Sequence, residues 1–432
     1  MMSSNTYEKT LHECEPFFEG GSPSRSPFQK AASPLTWWAA GSFAAILGFS
    51  RLSYGLLMPA LHTDLAASYS VLGLVQTFNY MGYLLGTLGL PLLLARMRNR
   101  ILLNVVAMLT MGITMLASAL SFTLWQLALW RFLIGLFSAL ATVLTMTLTL
   151  ECIYPRERGQ ASGIAWIGGM IGIIISGLIA PPILAAGSTS GWRLVWIVMA
   201  AVGIVSAIGF YLTRRHIAPA IVAGQSGQIQ GQSAAEQSWW QSIWHLFQPR
   251  QLLFLTLSYA LAGGGYIVYL TFFIPLLEQQ GVSALNEGFV WAAIGGAGAL
   301  GGWLWGKAID RWSTGYTLGS SLALGAIGTL SALAGNSGLE YVGAALFGLA
   351  GTIGPALMVT TLLKRAVTDE QYAVNFSMIT TLFATGQIIG PLAGSIVVAH
   401  WGVDIGLTLA PAILGLSALS AWGYGIMQQK GR

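Results

Sequence analysis

The chain reads as an all-α polytopic membrane protein: twelve transmembrane helices in two pseudo-symmetric six-helix bundles, with both termini cytoplasmic. Three observations predict this. Of 432 residues, 55% are hydrophobic and 8% charged, where soluble domains carry about 25% charged residues. Nearly uncharged runs recur at roughly the 20-residue length that a helix needs to cross a hydrocarbon core. The basic residues are sorted to one side of those runs. The 54 glycines suit close-packed membrane helices.

Residues 1–36 are polar, carry Glu8, Glu13, Glu15 and Glu19, and precede a run too long for a secretory signal. Their Ser/Pro/Glu composition predicts a disordered cytoplasmic tail. Spans are predicted at 37–61, 71–95, 101–121, 124–152, 160–186 and 192–213, forming an N-terminal bundle over 37–213. A cytoplasmic linker follows at 214–250, with a Gly/Gln/Ser run and the interfacial tryptophans Trp239, Trp240 and Trp244. The C-terminal bundle, 251–427, has spans at 251–277, 286–309, 316–335, 339–363, 373–399 and 402–427, and residues 428–432 are a second tail. Of 20 Lys and Arg, Arg51 and Arg131 fall within spans and only Arg193 in a loop assigned outside. The rest lie in the tails and the connections on the same side, which the positive-inside rule makes cytoplasmic.

The halves resemble each other weakly. A shift of 216 aligns Gly48 with Gly264 and Pro59 with Pro275; a shift of 215 aligns Gly73 with Gly288, Gly86 with Gly301 and Arg96 with Arg311. Parallel repeats of this kind mark one large class of transporters.

Four motifs carry a family resemblance. Gly306-Lys-Ala-Ile-Asp310-Arg311 closes the eighth span, Arg131-Phe-Leu-Ile-Gly135 lies in the fourth, Pro155-Arg-Glu-Arg-Gly-Gln-Ala-Ser-Gly163 opens the fifth, and Gly386-Gln-Ile-Ile-Gly-Pro-Leu-Ala-Gly394 falls in the eleventh. Together these resemble the signatures of the major facilitator superfamily over about residues 37–427. Gly48-Phe-Ser-Arg51-Leu-Ser-Tyr54, Leu57-Met-Pro59 and Asn79-Tyr-Met-Gly-Tyr83-Leu-Leu-Gly86 resemble its YbfB/YjiJ branch of bacterial transporters. The resemblance implies alternating access, and a cytoplasmic gate of Gly306, Asp310 and Arg311 with Glu151 and Arg156 at the facing end. Ala95 stands where the first-half Asp is expected beside Arg96, so that gate is asymmetric.

Arg51 sits mid-span, where a cation costs about 3 kcal/mol even on lenient scales. It should therefore face a water-filled cavity. At 1.5 Å per residue it lies roughly 15 Å, and Arg131 roughly 10 Å, below the outer ends of their helices. In the superfamily both helices line the central cavity, so the two cations are expected to share one chamber. No carboxylate is expected at their level, because Glu151 is at a helix end and the other acids are placed in loops or tails. For Arg131 the alternative is a structural role, bonded to backbone carbonyls. Gln76, Asn79, Tyr80 and Tyr83, at i, i+3, i+4 and i+7, share one helical face, with interhelical bonding as the plainer reading. Trp166, Tyr266 and Gln387 are further candidates. Gly298, Gly302 and Gly306 form a packing seam, and Gly263-Gly264-Gly265 is a candidate hinge.

Two unpaired guanidinium groups favour an anionic ligand. The expected function is secondary transport of a small organic solute, an anion above all. A proton-coupled exporter of lipophilic drugs and a non-transporting sensor on the same scaffold are the alternatives. Enzymatic function is not expected, since the five histidines fall in tails or loops and no carboxylate, His or Cys cluster is apparent. No cofactor, metal or nucleic acid is expected, and no P-loop is present. The expected setting is a bacterial inner membrane, the state monomeric, and protons an optional co-substrate.

Overall fold

A computed structural model describes residues 28–96, 99–186, 190–214, 250–334 and 338–430. Among them every extended element is helical; the one β-type contact is an isolated bridge between Gln29 and Ile153. Calls on residues 1–27, on the linker at 215–249 and on Trp239, Trp240 and Trp244 fall outside the described residues.

The first helical rod is the irregular one. α1 (Pro34–Phe43) starts on a proline, which tolerates the first helical turn. It runs into a π-helical stretch, Ala44–Leu52, and after Ser53 the chain re-forms as α2 (Tyr54–Asp64), bent by 43°. Ser53 donates its amide to the Gly48 carbonyl, five residues back, at 3.0 Å. There follow α3 (Tyr69–Arg96), α4 (Arg100–Ala119), α5 (Leu124–Glu151), α6 (Arg158–Ala186) and α7 (Gly191–Leu212). The second group is α8 (Arg250–Gln279), α9 (Ala284–Arg311), α10 (Gly315–Leu330), α11 (Leu339–Gly351), α12 (Ile353–Ala366), α13 (Asp369–Trp401) and α14 (Val403–Lys430). Side-chain caps fix several starts: Thr123 and Gln126 form a reciprocal capping box before α5, and Ser283 caps α9.

Among the described residues nine helices are long and apolar enough to cross a membrane, or ten when the bent first rod counts as one.

The expected loose tail does not extend to residue 36. Gln29 exchanges backbone bonds with Cys152 and Tyr154 at 2.8 and 3.1 Å, and the Ala31 amide donates to Glu157 at 2.6 Å. These bonds tie the strand before α1 to the α5–α6 turn.

Helices up to α7 pack chiefly on one another, as do those from α8 onward, and the groups meet along α6–α9 and α3–α13 with α2 against α8. Small residues set the seams. A Cβ at Gly295 would stand 2.8 Å from the Met170 carbonyl, and one at Gly177 2.9 Å from the Ala292 nitrogen. Nothing lies within 4 Å of a Cβ at Gly89, Gly159, Gly163 or Gly306. Close approaches between the groups lie at Gly55, Gly73, Gly177, Gly288 and Gly295.

Candidate functional site

Arg51 lies in the π-helical stretch, 5% exposed, at the junction of the two groups. Its guanidinium stands over the Tyr83 ring at 3.8 Å and the Tyr80 ring at 5.4 Å, distances at which a cation is attracted by the ring face. Its Nη2 donates to Gln387 Oε1 at 3.2 Å, and Gln387 Nε2 donates to the Tyr266 hydroxyl at 2.8 Å. Tyr266 and Tyr259 both stack on Phe383, at 6.0 and 4.3 Å between centroids. Arg51, Tyr80 and Tyr83 thus meet Tyr266 and Gln387 around one aromatic chamber that both groups build. The Arg51 Nε is buried without a partner. Among the described residues the ion pairs are Arg100–Glu151 and Arg193–Asp64, so no carboxylate neutralises Arg51.

Arg131 does not share this chamber. It is fully buried behind the bent rod, where Nη1 donates to the Ser50 carbonyl at 2.6 Å and Nη2 to the Arg51 carbonyl at 3.5 Å and to Gln76 Oε1. Tyr54 and Trp196 cover its faces at 4.5 and 5.6 Å. The physical reason is the break in the rod. A helix interrupted at Ser53 leaves carbonyls without their usual amide partners, and at membrane depth each costs several kcal/mol unless satisfied. Arg131 supplies donors to two of them. Gln76 completes the arrangement, donating from Nε2 to the Arg51 carbonyl at 3.1 Å and to the Tyr80 hydroxyl at 3.2 Å.

The α3 face divides accordingly. Tyr80 and Tyr83 reach Arg51, whereas the Asn79 amide turns to the Arg131 carbonyl at 2.8 Å and links α3 to α5. Trp166 stands apart, packed edge-on against Phe43 at 5.2 Å. Phe383 and Tyr259 were missed in the sequence, since nothing distinguishes them there from packing aromatics.

At the terminus-bearing end, Glu151 pairs with Arg100 through two bonds of 2.8 and 2.9 Å, not with Arg156, which is exposed. Asp310 and Arg311 are exposed, and Arg311 stacks on Trp312 at 5.4 Å. The triglycine of α8 lies in an unbroken helix: a Cβ at Gly263 would stand 2.9 Å from the Phe383 ring, and one at Gly265 2.8 Å from Leu414. These glycines mark close approach of α8 to α13 and α14.

At the opposite end the Tyr69 hydroxyl of α3 donates to Glu278 of α8, joining the two groups. Glu287, in the first turn of α9, is 6% exposed, and Glu340 opens α11 at 3%. The expectation that such acids lie in loops or tails is corrected here. Both acids stand in the first helical turn, after the capping positions Ser283 and Gly338.

An all-helical chain of two helix groups packed on each other has the fold of the major facilitator type. Solved structures with this fold include the nucleoside transporter NupG (D323A mutant), with TM-score 0.71, 14% identity and coverage of 91% of this chain and 99% of that one. A D-xylose-proton symporter superposes with TM-score 0.69, 15% identity and coverage of 90% and 97%. The chain belongs to the family described as Uncharacterised MFS-type transporter YbfB, whose profile matches residues 43–421. Among curated relatives it is 25% identical over 398 residues to the inner membrane transport protein YdhP of Escherichia coli O157:H7, covering 89% of this chain and 94% of that protein. It is also 25% identical over 402 residues to the gallate transporter of Pseudomonas putida, covering 87% of each. The chain is a multi-pass inner-membrane transporter; its relatives and structural neighbours are transporters, not enzymes.

Proposed function

We propose that the chain is a twelve-span secondary transporter whose substrate is a small aromatic carboxylate, bound by Arg51 between the two six-helix halves. The observation that carries this reading is that the Arg51 guanidinium, unlike that of Arg131, is held by side chains of both helix groups rather than by backbone carbonyls, among Tyr80, Tyr83, Tyr266 and Gln387. A carboxylate suits the fork of the guanidinium, and the rings supply flat apolar walls for an aromatic body. The gallate transporter among the relatives is a protein of matching substrate chemistry. Arg131 and Gln76 position the Arg51 backbone, and Gln387 and Tyr266 report occupancy to the second half. The one-sided distribution of Lys and Arg supports cytoplasmic termini by the positive-inside rule. A proton carried through this chamber would travel on the substrate's own carboxyl group, since no carboxylate pairs with Arg51 among the described residues.

The test is thermal stabilisation of the purified protein by hydroxybenzoates, lipophilic cations and neutral sugars, repeated with Arg51→Gln, followed by uptake into proteoliposomes. A ligand that binds only the folded state at a hundred times its Kd adds about 2.7 kcal/mol. Hydroxybenzoate hits lost in the variant are expected. Cation hits that survive it would replace this reading with that of a lipophilic-drug exporter, and binding without uptake would make the chain a sensor.

A further inference from the structure

The terminus-bearing ends of α9, α10 and α12 line an open hollow, a cavity of about 640 Å³, remote from Arg51 in the second half alone. Arg311 comes to it from the end of α9 and Arg365 from the last turn of α12. Trp305 and Trp312 form apolar walls, and Thr314 and Ser320 are among five hydroxyl-bearing residues on its lining. No Asp or Glu lines it, and neither arginine has an ion-pair partner among the described residues.

Two guanidinium groups facing one hollow repel each other unless an anion lies between them. Guanidinium forks and hydroxyl donors around a space of this size match the oxygens of a phosphate group, with room left for what the phosphate is attached to. Trp312, on the cavity lining, is 59% exposed, as aromatic side chains are at the headgroup layer. Basic pockets between helices at the cytoplasmic surface suit anionic headgroups.

We infer that this cavity binds the phosphate of an anionic ligand, through Arg311 and Arg365. The phosphate comes either from a phospholipid headgroup of the inner leaflet or from a soluble phosphate ester. Because Arg311 closes the Gly306–Arg311 segment, such a ligand ties that segment to α10 and α12 of its own half.

The experiment uses the full-length protein in detergent, delipidated, with native mass spectrometry and thermal melting. The probes are phosphatidylglycerol, oleate (an anionic chain without phosphate) and glycerol 3-phosphate, each against wild type, Arg365→Gln, Arg365→Lys and Ser320→Trp, the last of which fills the cavity. Phosphatidylglycerol retention should fall about tenfold in Arg365→Gln, as losing a charge-assisted hydrogen bond of roughly 1.5 kcal/mol requires, recover in part in Arg365→Lys, and fall in Ser320→Trp. Stabilisation by glycerol 3-phosphate with the same variant dependence would assign a soluble source, and its absence alongside lipid binding would assign the lipid. If oleate is retained equally well, or if neither phosphate probe responds to Arg365→Gln and Ser320→Trp, the inference is overturned. Should Arg365→Gln not fold, Ser320→Trp alone decides.

Discussion

Arg51 donates to Gln387 across the boundary between the two helix groups, Nη2 to Oε1 at 3.2 Å. The residue proposed above as the substrate's partner in one half is thereby in direct contact with the other half. Alternating access requires the two halves to rock about the bound solute, and this bond is where occupancy and rocking meet.

The first prediction concerns Arg51 itself. Arg51→Gln keeps hydrogen-bonding capacity toward Gln387 but removes the charge, so folding is retained and affinity falls. A lost charge-assisted bond of about 2 kcal/mol corresponds to roughly thirtyfold in Kd. Isothermal titration with a hydroxybenzoate measures this; unchanged affinity would reject Arg51 as the anion site.

Arg131 should behave in the opposite way. Arg131→Leu strips donors from the carbonyls of Ser50 and Arg51, at about 1–3 kcal/mol for each group left unsatisfied. The melting temperature should drop well below that of Arg51→Gln. Equal melting temperatures would show that the bent rod holds without Arg131.

Tyr69 closes the end opposite the termini. Tyr69→Phe removes its hydroxyl from Glu278, which leaves a carboxylate without a donor and favours opening there. Ser395 is 2% exposed on that seam, so Ser395→Cys, in a chain lacking Cys14 and Cys152, should be labelled faster by an impermeant thiol reagent when Tyr69→Phe is added. Equal labelling rates would exclude Tyr69 from the closure.

The triglycine of α8 gives a graded prediction. The closest atoms to a Cβ at Gly263 and Gly265 include Phe383 and Leu414 side-chain carbons at 2.9 and 2.8 Å, whereas at Gly264 the nearest atom is the Gly386 carbonyl oxygen at 3.3 Å. Gly263→Ala and Gly265→Ala should each cost about 1–3 kcal/mol by overpacking, and Gly264→Ala less. Thermal melts separate this from a hinge, which would lower turnover at all three positions without an ordered loss of stability.

Much of the architecture is legible in the chain, because bilayer-length apolar runs and the one-sided distribution of Lys and Arg are one-dimensional signals. Arg51 was legible as well, since a cation within such a run needs an aqueous or bonded setting wherever it is placed. The helix–helix seams could be anticipated only as glycine spacing, and which helix faced which was not written there.

The sequence by itself determined that the chain crosses the membrane many times, which family it resembles, and that Arg51 and Arg131 are both buried cations. Only the tertiary structure decided that they differ in kind. The break at Ser53 frees carbonyls that turn toward α5, so Arg131 is consumed by backbone bonds. The π-helical turn aims Arg51 the other way, at Tyr83 and Gln387. Hydropathy registers the cost of a buried charge, but the direction a side chain faces depends on where the backbone loses its own hydrogen bonds, and that is settled by packing between distant segments.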